Sequence, residues 1–562
     1  IVMPKGSAQP GDDAFTALEI DDPIFDIAVN PDRGYALSIR GLAREIAASL
    51  RVQFQDPVER IARLNFKPEA TKDCVPVKIL AGASVIHLHT LDAINVESSV
   101  PLWMRRRLEK CGMRSISAPV DITNYVMLEL GQPLHAFDRE KIAGTLTVRE
   151  GKVKESLQTL DGQDRAITSS NLVIADDVKV LALAGTMGGA SSEVSGGTRS
   201  IALEAANFDQ ICVAKNSREH RLSTEASRRF ERFVDPHLAE IASKRGVELF
   251  KEIVGARYLG FAVAEPTEGK ISPAKSLQVS LAGINSLIGA TYSQEEVLEA
   301  LRAFGIGVEV KGDALSITPP SWRHDLQHRS DIAEEVARFH SYDRIPLRLA
   351  FAKGAEGRAT GLSLRQRRRR AIAAFLAARG LAETQNYPFT RQDFIDSLGF
   401  VGDRARTFKL ANPLSEEFPV LRTHILQSLL PTAVRNLNRG NEYVAIFEMG
   451  SIFRAKSDSV TTSILPTGER PPEKEIASLI ESVPDQPWMV AGIICGKREK
   501  SGWWGTGREA QWSDALSLAQ EIVEICGATS TTVASALAPW HDGRCAEIRV
   551  GTKPVAHAGE LH

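Results

Sequence analysis

Two interruptions in the hydrophobic pattern, at Ala264-Glu265-Pro266-Thr267-Glu268-Gly269 and at Gly354-Ala355-Glu356-Gly357, rule out a single continuous core for this chain. A length of 562 residues points the same way. One core rarely serves more than about 250–300 residues, so roughly four folded pieces are expected. The pattern places them at residues 1–70, 71–262, 271–346 and 357–562. Each piece mixes helical and strand periodicity, which predicts a multidomain α+β protein.

In the first piece, Ile24-Phe25-Asp26-Ile27-Ala28-Val29 reads as a strand. The turn Asn30-Pro31-Asp32-Arg33-Gly34 follows, then a helix over Ala36 to Leu50. Short strands dominate the second piece. Thr145 to Arg149 alternates with period two, and Leu172-Val173-Ile174, Leu181-Ala182-Leu183 and Ile201-Ala202-Leu203 are brief apolar runs between turns. A helix is predicted over Arg232 to Phe250. The third piece carries a capping box, Ser293 with Glu296, followed by apolar Val297, Leu298, Leu301 and Phe304 on one face and a stop at Gly305. Strands are predicted near Val308–Val310 and Leu315–Ile317, and a helix over Asp331 to His340. The fourth piece opens with a helix over Ser363 to Arg379, stopped by Gly380.

Charge and cysteine content narrow the function classes. Lys plus Arg number 68 and Asp plus Glu 70, for a formal net charge of −2, so any contact with nucleic acid is confined to local patches. Six scattered cysteines without a C-x-x-C pair argue against a zinc ribbon or a disulfide framework and fit a reducing compartment. No apolar run reaches the ~18 residues that span a bilayer, so no membrane association is expected. An opening without an initiator Met and an abrupt Gly559-Glu560-Leu561-His562 end predict a fragment of a longer cytoplasmic protein.

Three constellations carry chemistry. Between Val120 and Asp138, Asn124, Gln132 and His135 stand beside the turn residues Gly131 and Pro133. That pattern fits the lip of a polar pocket or a plain surface turn with a satisfied histidine. Asp325, Asp331, Glu334 and Glu335 are acidic, and the last three share one helix face at i, i+3 and i+4, where they repel. A hard divalent cation such as Mg²⁺ would relieve that repulsion. So would plain solvation, with Glu334 paired to Arg338. Arg365, Arg367, Arg368, Arg369 and Arg370 form a basic run that could meet phosphate or simply face water, and Arg105-Arg106-Arg107 has the same ambiguity.

The run Val120-Asp121-Ile122-Thr123-Asn124-Tyr125 through Gly131-Gln132-Pro133-Leu134-His135-Ala136-Phe137-Asp138 closely resembles the signature of the editing domain in bacterial phenylalanyl-tRNA synthetase beta subunits. Three further stretches resemble that domain in the same order: Leu183 to Gly189, Ile201 to Asp209, and Arg221 to Pro236. The resemblance implies an editing domain that hydrolyses mischarged tyrosyl-tRNA(Phe). His135 and Asn124 then orient the ester and a water, Glu204 reads the tyrosine hydroxyl, and Ala184 and Gly185 form a small pocket wall. Thr318 to Asp325 with Asp331 to Arg338 resembles the family's small domain, which implies a Mg²⁺ site at Asp325, Asp331, Glu334 and Glu335 shared with the alpha subunit. Leu410 to Leu414, Leu421 to His424 and Phe447 to Gly450 resemble the family's class II synthetase-like module, which docks on alpha rather than performing synthesis.

By the same resemblance, ATP is used at the alpha subunit's site, two alpha pair with two beta, and tRNA(Phe) is the substrate. The family's N-terminal tRNA-binding and C-terminal anticodon-binding domains are not among these residues. The other reading is a scaffold that holds alpha and tRNA with an inactive editing pocket; a stand-alone nucleic-acid-binding protein fits the near-neutral charge poorly. One departure stands out: Phe233 occupies a position where the family usually has glycine, which puts the local turn in doubt.

Overall fold

The computed structural model describes residues 8–18, 22–69, 73–266, 275–312, 314–347, 361–456, 464–465 and 468–562. The Gly354–Gly357 interruption lies outside them, as do residues 267–269 of the first. The chain forms two compact units, 1–350 and 351–562.

In the first unit, residues 22–30 form no helix and pair with no strand among the described residues, and Ile24 and Phe25 are exposed. Strand periodicity alone therefore does not make a strand there. Helix α1, Ile39–Leu50, is capped by Ser38, whose hydroxyl accepts from the Gly41 amide. Gly34 is where the preceding turn passes closest to its neighbours, since a Cβ there would lie 2.0 Å from the Arg232 carbonyl oxygen. Arg232 donates to the Val29 carbonyl at 3.0 Å and Arg229 to that of Leu37 at 3.1 Å, holding this segment in place.

Two sheets follow. One has strands β1 (Val77–Ile79), β4 (Leu146–Glu150), β5 (Leu172–Ala175), β6 (Val180–Leu183) and β7 (Met187–Gly188) in that spatial order. The other has β9 (Arg257–Ala264), β2 (Ala83–Asp92), β8 (Ile201–Phe208) and β3 (Leu134–Asp138). Strand β8 is buried almost throughout because both of its faces are covered. One face, with Leu88, Ala202 and Phe137, meets Leu146, Ile174 and Leu181 of the five-stranded sheet. The opposite face, with Leu91, Ile201 and Leu203, packs under helices α2 (Ala118–Leu130) and α3 (Leu238–Val254).

Helix α2 corrects the turn-like reading of Val120 to Leu130. The polar residues that make this stretch look like a loop lie on a helix whose Ile122, Tyr125 and Val126 enter the core, and Gly131 ends it at φ +92°. The helix predicted from Arg232 also starts later. Thr224 caps a short helix, Glu225–Glu231, and the chain then turns through Phe233 at φ +78° before α3 begins at Leu238. That left-handed conformation explains why glycine suits this position. Here the phenyl ring stacks on His324, with centroids 4.3 Å apart and planes at 19°.

The small capped piece forms as its pattern predicts. Ser293 and Glu296 complete a reciprocal box at the start of α4, Gln294–Ala303. Gly305 follows at φ +73°. Strands β10 (Leu277–Ser280), β12 (Ala314–Thr318) and β11 (Gly307–Lys311) make a sheet in that order, and α5 spans Arg329–Phe339.

In the second unit, α6 (Leu364–Ala378) is capped by Ser363 and followed by Gly380 at φ +85°. Strands β13 (Tyr443–Ser451) and β14 (Trp488–Gly496) pair antiparallel, and the helix α7 covers Trp512–Ile525. A buried ion pair, Arg422 with Glu448, is completed by Ser428 and Asn386, each donating to Glu448 at 2.9 Å. Arg422 and Glu448 belong to two of the stretches that resemble the class II module. Of the arginine run, Arg369 lies over the Trp488 ring at 3.4 Å, while Arg365, Arg367, Arg368 and Arg370 are exposed.

Candidate functional site

Antiparallel register sets Glu204 of β8 directly opposite His135 of β3 on one side and Leu88 of β2 on the other. Directly paired residues share a face, with Cβ atoms about 4.5–5.5 Å apart. Both polar side chains therefore project into the apolar layer between the two sheets, among Leu88, Ala202 and Phe137. Glu204 is only 5% exposed and has no hydrogen-bond or salt-bridge partner among the described residues. Burial pushes its carboxyl up to about 8, so at neutral pH it is mostly the uncharged acid. An unpartnered carboxyl in such a layer is costly to keep.

His135 is less deeply placed, half-buried, and likewise without a hydrogen-bond partner among the described residues. Burial lowers its pKa to about 4, so the imidazole is neutral, able to accept at one nitrogen and donate at the other. No hydrogen bond fixes the ring among the described residues. Its orientation comes from packing, edge-to-face on Phe137 with centroids 4.4 Å apart, and against Gly188. A Cβ at Gly188 would lie 2.6 Å from the His135 Cε1 and 2.9 Å from Nε2, so only glycine leaves room for the ring. Gly188 lies within the resembling stretch Leu183 to Gly189 with no expected role of its own; its signal in the sequence is a glycine shortly after a turn, which alone is weak.

The stretch Leu183 to Gly189 reaches this site as the end of β6, a turn and β7. Ala184 belongs to the same apolar cluster as Leu88 and Ala202. Gly185, at φ +64°, has Val213, Phe230 and Phe208 within 2.9–3.1 Å of where a Cβ would stand. Both positions are thus small because the wall behind them is full. Thr224 ties the fourth resembling stretch to this turn by donating from its hydroxyl to the Thr186 carbonyl at 2.9 Å.

Asn124 is placed differently. It lies on α2, which packs through Ile122, Tyr125 and Val126 on the sheet face opposite to that of Glu204 and His135. No hydrogen bond joins it to either residue among those described. The structure brings His135, Glu204, Ala184 and Gly185 to one layer and leaves Asn124 on the other side of the sheet, because its helix is held there by its apolar face.

Each carboxylate of the acidic constellation has a partner within this chain. Glu335, 1% exposed, receives Arg33 at 2.7 Å, Arg323 at 2.9 Å and Arg338 at 2.6 Å. Burial alone would raise its pKa, but these guanidiniums hold the carboxyl down at about 2. Asp325 is paired with Arg323 at 2.7 Å. Asp331 accepts from the backbone amides of Gln327 at 2.8 Å and His328 at 2.7 Å, at the start of α5. Glu334 is half exposed, with Arg33 3.7 Å away. Among the described residues no group of three His, Cys, Asp or Glu side chains converges to hold a metal. The residues expected to hold Mg²⁺ thus each meet an arginine or the start of α5 within this chain. Nor does Glu334 pair with Arg338, which instead joins Glu335 and, at 2.6 Å, Glu45.

Comparison with known proteins bears on the whole chain. The B3/4 domain family matches residues 85–255, the tRNA synthetase B5 domain family residues 277–342, and the phenylalanyl tRNA synthetase beta chain CLM domain family residues 350–562. A phenylalanine–tRNA ligase beta subunit from Thermobifida fusca is 42% identical over 572 residues, spanning 100% of this chain and 67% of the relative. Another from Streptomyces avermitilis is 42% identical over 575 residues with the same coverage. Among solved structures, an N-terminal fragment of a phenylalanyl-tRNA synthetase beta subunit from Pyrococcus horikoshii covers 56% of this chain and 85% of its own. It is 15% identical with a TM-score of 0.30, too remote to bear on the fold. The chain spans about two thirds of the length of its curated relatives, and it belongs to the phenylalanine–tRNA ligase beta subunit family.

Proposed function

We propose that this chain serves as the beta subunit of a phenylalanine–tRNA ligase, supporting ATP-dependent charging of tRNA(Phe) at an alpha subunit's site and hydrolysing mischarged tyrosyl-tRNA(Phe) at its own. Two alpha and two beta subunits would form the working cytoplasmic enzyme; among the described residues no helix is long and apolar enough to cross a membrane. Residues 71–262 would be the editing domain, 271–346 the small domain and 357–562 the alpha-docking module, with 1–70 ending an N-terminal region.

The observation that carries the reading is the buried Glu204, without a hydrogen-bond or salt-bridge partner among the described residues, across from His135. A pocket shaped for phenylalanine rejects tyrosine weakly, by about a hundredfold, because tyrosine only adds a hydroxyl. A second site that requires the hydroxyl reverses the test. With tyrosine, the Glu204 carboxyl gains a hydrogen bond inside an apolar layer. With phenylalanine it stays unpaired and the binding energy is lost. Hydrolysis then needs a water whose oxygen bonds to the ester carbonyl carbon while the bond to the ribose oxygen breaks and a proton passes to that oxygen. Neutral His135 can hold the water or the ester by accepting or donating a hydrogen bond; its lowered pKa makes positioning its main contribution. Asn124 takes no part in the arrangement seen here. Mg²⁺ and ATP serve the ligase reaction of the complex, and no step on this chain is routed through a metal.

The direct test is single-turnover deacylation by the full-length alpha–beta complex. Tyrosyl-tRNA(Phe) should be hydrolysed and phenylalanyl-tRNA(Phe) spared; a complex that charges phenylalanine yet leaves both esters intact is the scaffold instead. Gly188→Ala should slow the tyrosyl reaction roughly ten- to hundredfold with little change in thermal stability, because the new methyl displaces the His135 ring. Equal rates for Gly188→Ala and wild type would remove His135 from the mechanism.

A further inference from the structure

Between β14 and α7 the second unit projects a tight hairpin ending in Trp503 and Trp504. Trp503 is 95% exposed and Trp504 65%, an unusual amount of indole to leave in water. The tip is nonetheless stiff. Gly502 and Gly505 exchange backbone hydrogen bonds at 2.9 and 3.0 Å, and the Trp504 indole donates to the Lys500 carbonyl at 3.1 Å. That indole lies against the backbone at Gly502, where a Cβ would come within 2.7 Å of it. Trp503 stands edge-on to Trp504, centroids 5.8 Å apart at 78°. Below the tip, Glu499 and Arg508 bridge the two arms through their backbones at 3.0 and 3.1 Å, and the Arg508 side chain reaches Glu499 at 2.7 Å and Asp514 at 2.8 Å.

We propose that this hairpin tip is a stacking platform for an unpaired base of the RNA substrate, with Trp503 as the stacking ring. The inference rests on the reading that the chain works on tRNA. Three features select RNA over a protein partner. The two rings are flanked in sequence by Lys500, Ser501, Gly502, Gly505, Thr506 and Gly507, so the tip itself adds no further apolar side chain beside them. A protein-docking anchor sits at the centre of a larger apolar patch, whereas a base needs only a bare aromatic face and room on either side. Of the hairpin's four cations, Lys497, Arg498 and Arg508 are spent on Glu442, Asp514 and Glu499, which leaves Lys500. Lys500, at the foot of the tip, has no acidic partner among the described residues and is placed to meet the phosphate beside a stacked base. Finally, the clamped arms present Trp503 with little conformational freedom left to lose, which favours stacking on a flexible strand.

The test is the affinity of the full-length alpha–beta complex for a tRNA(Phe) transcript at fixed salt. Trp503→Ala should weaken binding about tenfold, and Trp503→Tyr, which keeps a stacking face, should stay within about threefold of wild type. Sedimentation should show Trp503→Ala still assembled with its alpha subunit. Unchanged affinity in Trp503→Ala overturns the proposal, as does loss of the alpha subunit, which would make the tip a protein contact. Failure of the wild-type complex to bind the transcript would overturn the tRNA-ligase reading itself and this inference with it.

Discussion

Glu204→Ala is expected to abolish the preference for a tyrosyl over a phenylalanyl ester, lowering tyrosyl-tRNA(Phe) deacylation at least a hundredfold and leaving the slow phenylalanyl reaction where it was. The size follows from where the hydrogen bond is made. In water a phenol exchanges one partner for another at little net gain, but between two sheets no solvent competes and an unmet carboxyl keeps its desolvation cost. Glu204→Gln separates two versions of the idea. If the uncharged acid reads the hydroxyl, an amide that also accepts and donates should keep much of the preference. If only the carboxylate reads it, Gln should behave like Ala. The same residue has a stability signature. Its folded pKa is raised from 4.5 to about 8, so its contribution is intact below pH 4.5 and is lost as pH rises through 8. The shift corresponds to roughly 3–5 kcal/mol by linkage. Denaturant midpoints of Glu204→Gln should therefore rise relative to wild type between pH 5 and pH 9. His135 acts oppositely: its depressed pKa lowers stability as pH falls from 6.5 through about 4, in both proteins alike. A midpoint difference that does not grow with pH would mean Glu204 is solvated.

The parts of this molecule that are legible in sequence are those decided within a few residues. The Ser293–Glu296 box, the Gly305 and Gly380 stops and the short β-runs at Leu172 and Val180 are all local chemistry, and all form. Boundaries fail where tertiary geometry intervenes, as at Phe233, whose positive φ delays to Leu238 a helix expected from Arg232. Helix α2 is obscured because it is buried on several sides, so its polar residues do not fall on one clean stripe. The candidate site is harder still. Nothing near Glu204 in sequence says that it faces His135, since that pairing joins strands 69 residues apart; only the resemblance nominates both. Ile24 to Val29 shows the converse, a good strand pattern without a partner strand among the described residues. Reading charges along α5 alone likewise misses most of the compensation, because two of the three guanidiniums on Glu335 come from outside the helix: Arg323, and Arg33, 302 residues earlier in the chain.

That arginine network supports the other large effect. Glu335→Ala should destabilise the first unit by about 3–5 kcal/mol, because it leaves the buried Arg323, and behind it Arg33 and Arg338, without their common counter-charge. Arg323 is among the most buried large side chains of the chain, at 2% exposure, so water cannot take over the role. The loss should spread to α1 as well, since Arg338 also holds Glu45 and Tyr35 donates to Glu45 at 2.6 Å. Glu334→Ala, one residue away but half exposed and distant from Arg33, should cost less than about 0.5 kcal/mol. A metal-centred version of the same cluster predicts the reverse pattern. Under it, chelation by EDTA lowers the denaturant midpoint, added Mg²⁺ restores it, and Glu334→Ala and Glu335→Ala are both harmful. With arginines in the cation's place, EDTA and Mg²⁺ should leave the midpoint of the beta chain unchanged, and only the variant that strips the arginines of Glu335 should unfold early. The contrast between two adjacent glutamates on one helix thus decides whether the charge that α5 was built around is bound from solution or supplied by the fold.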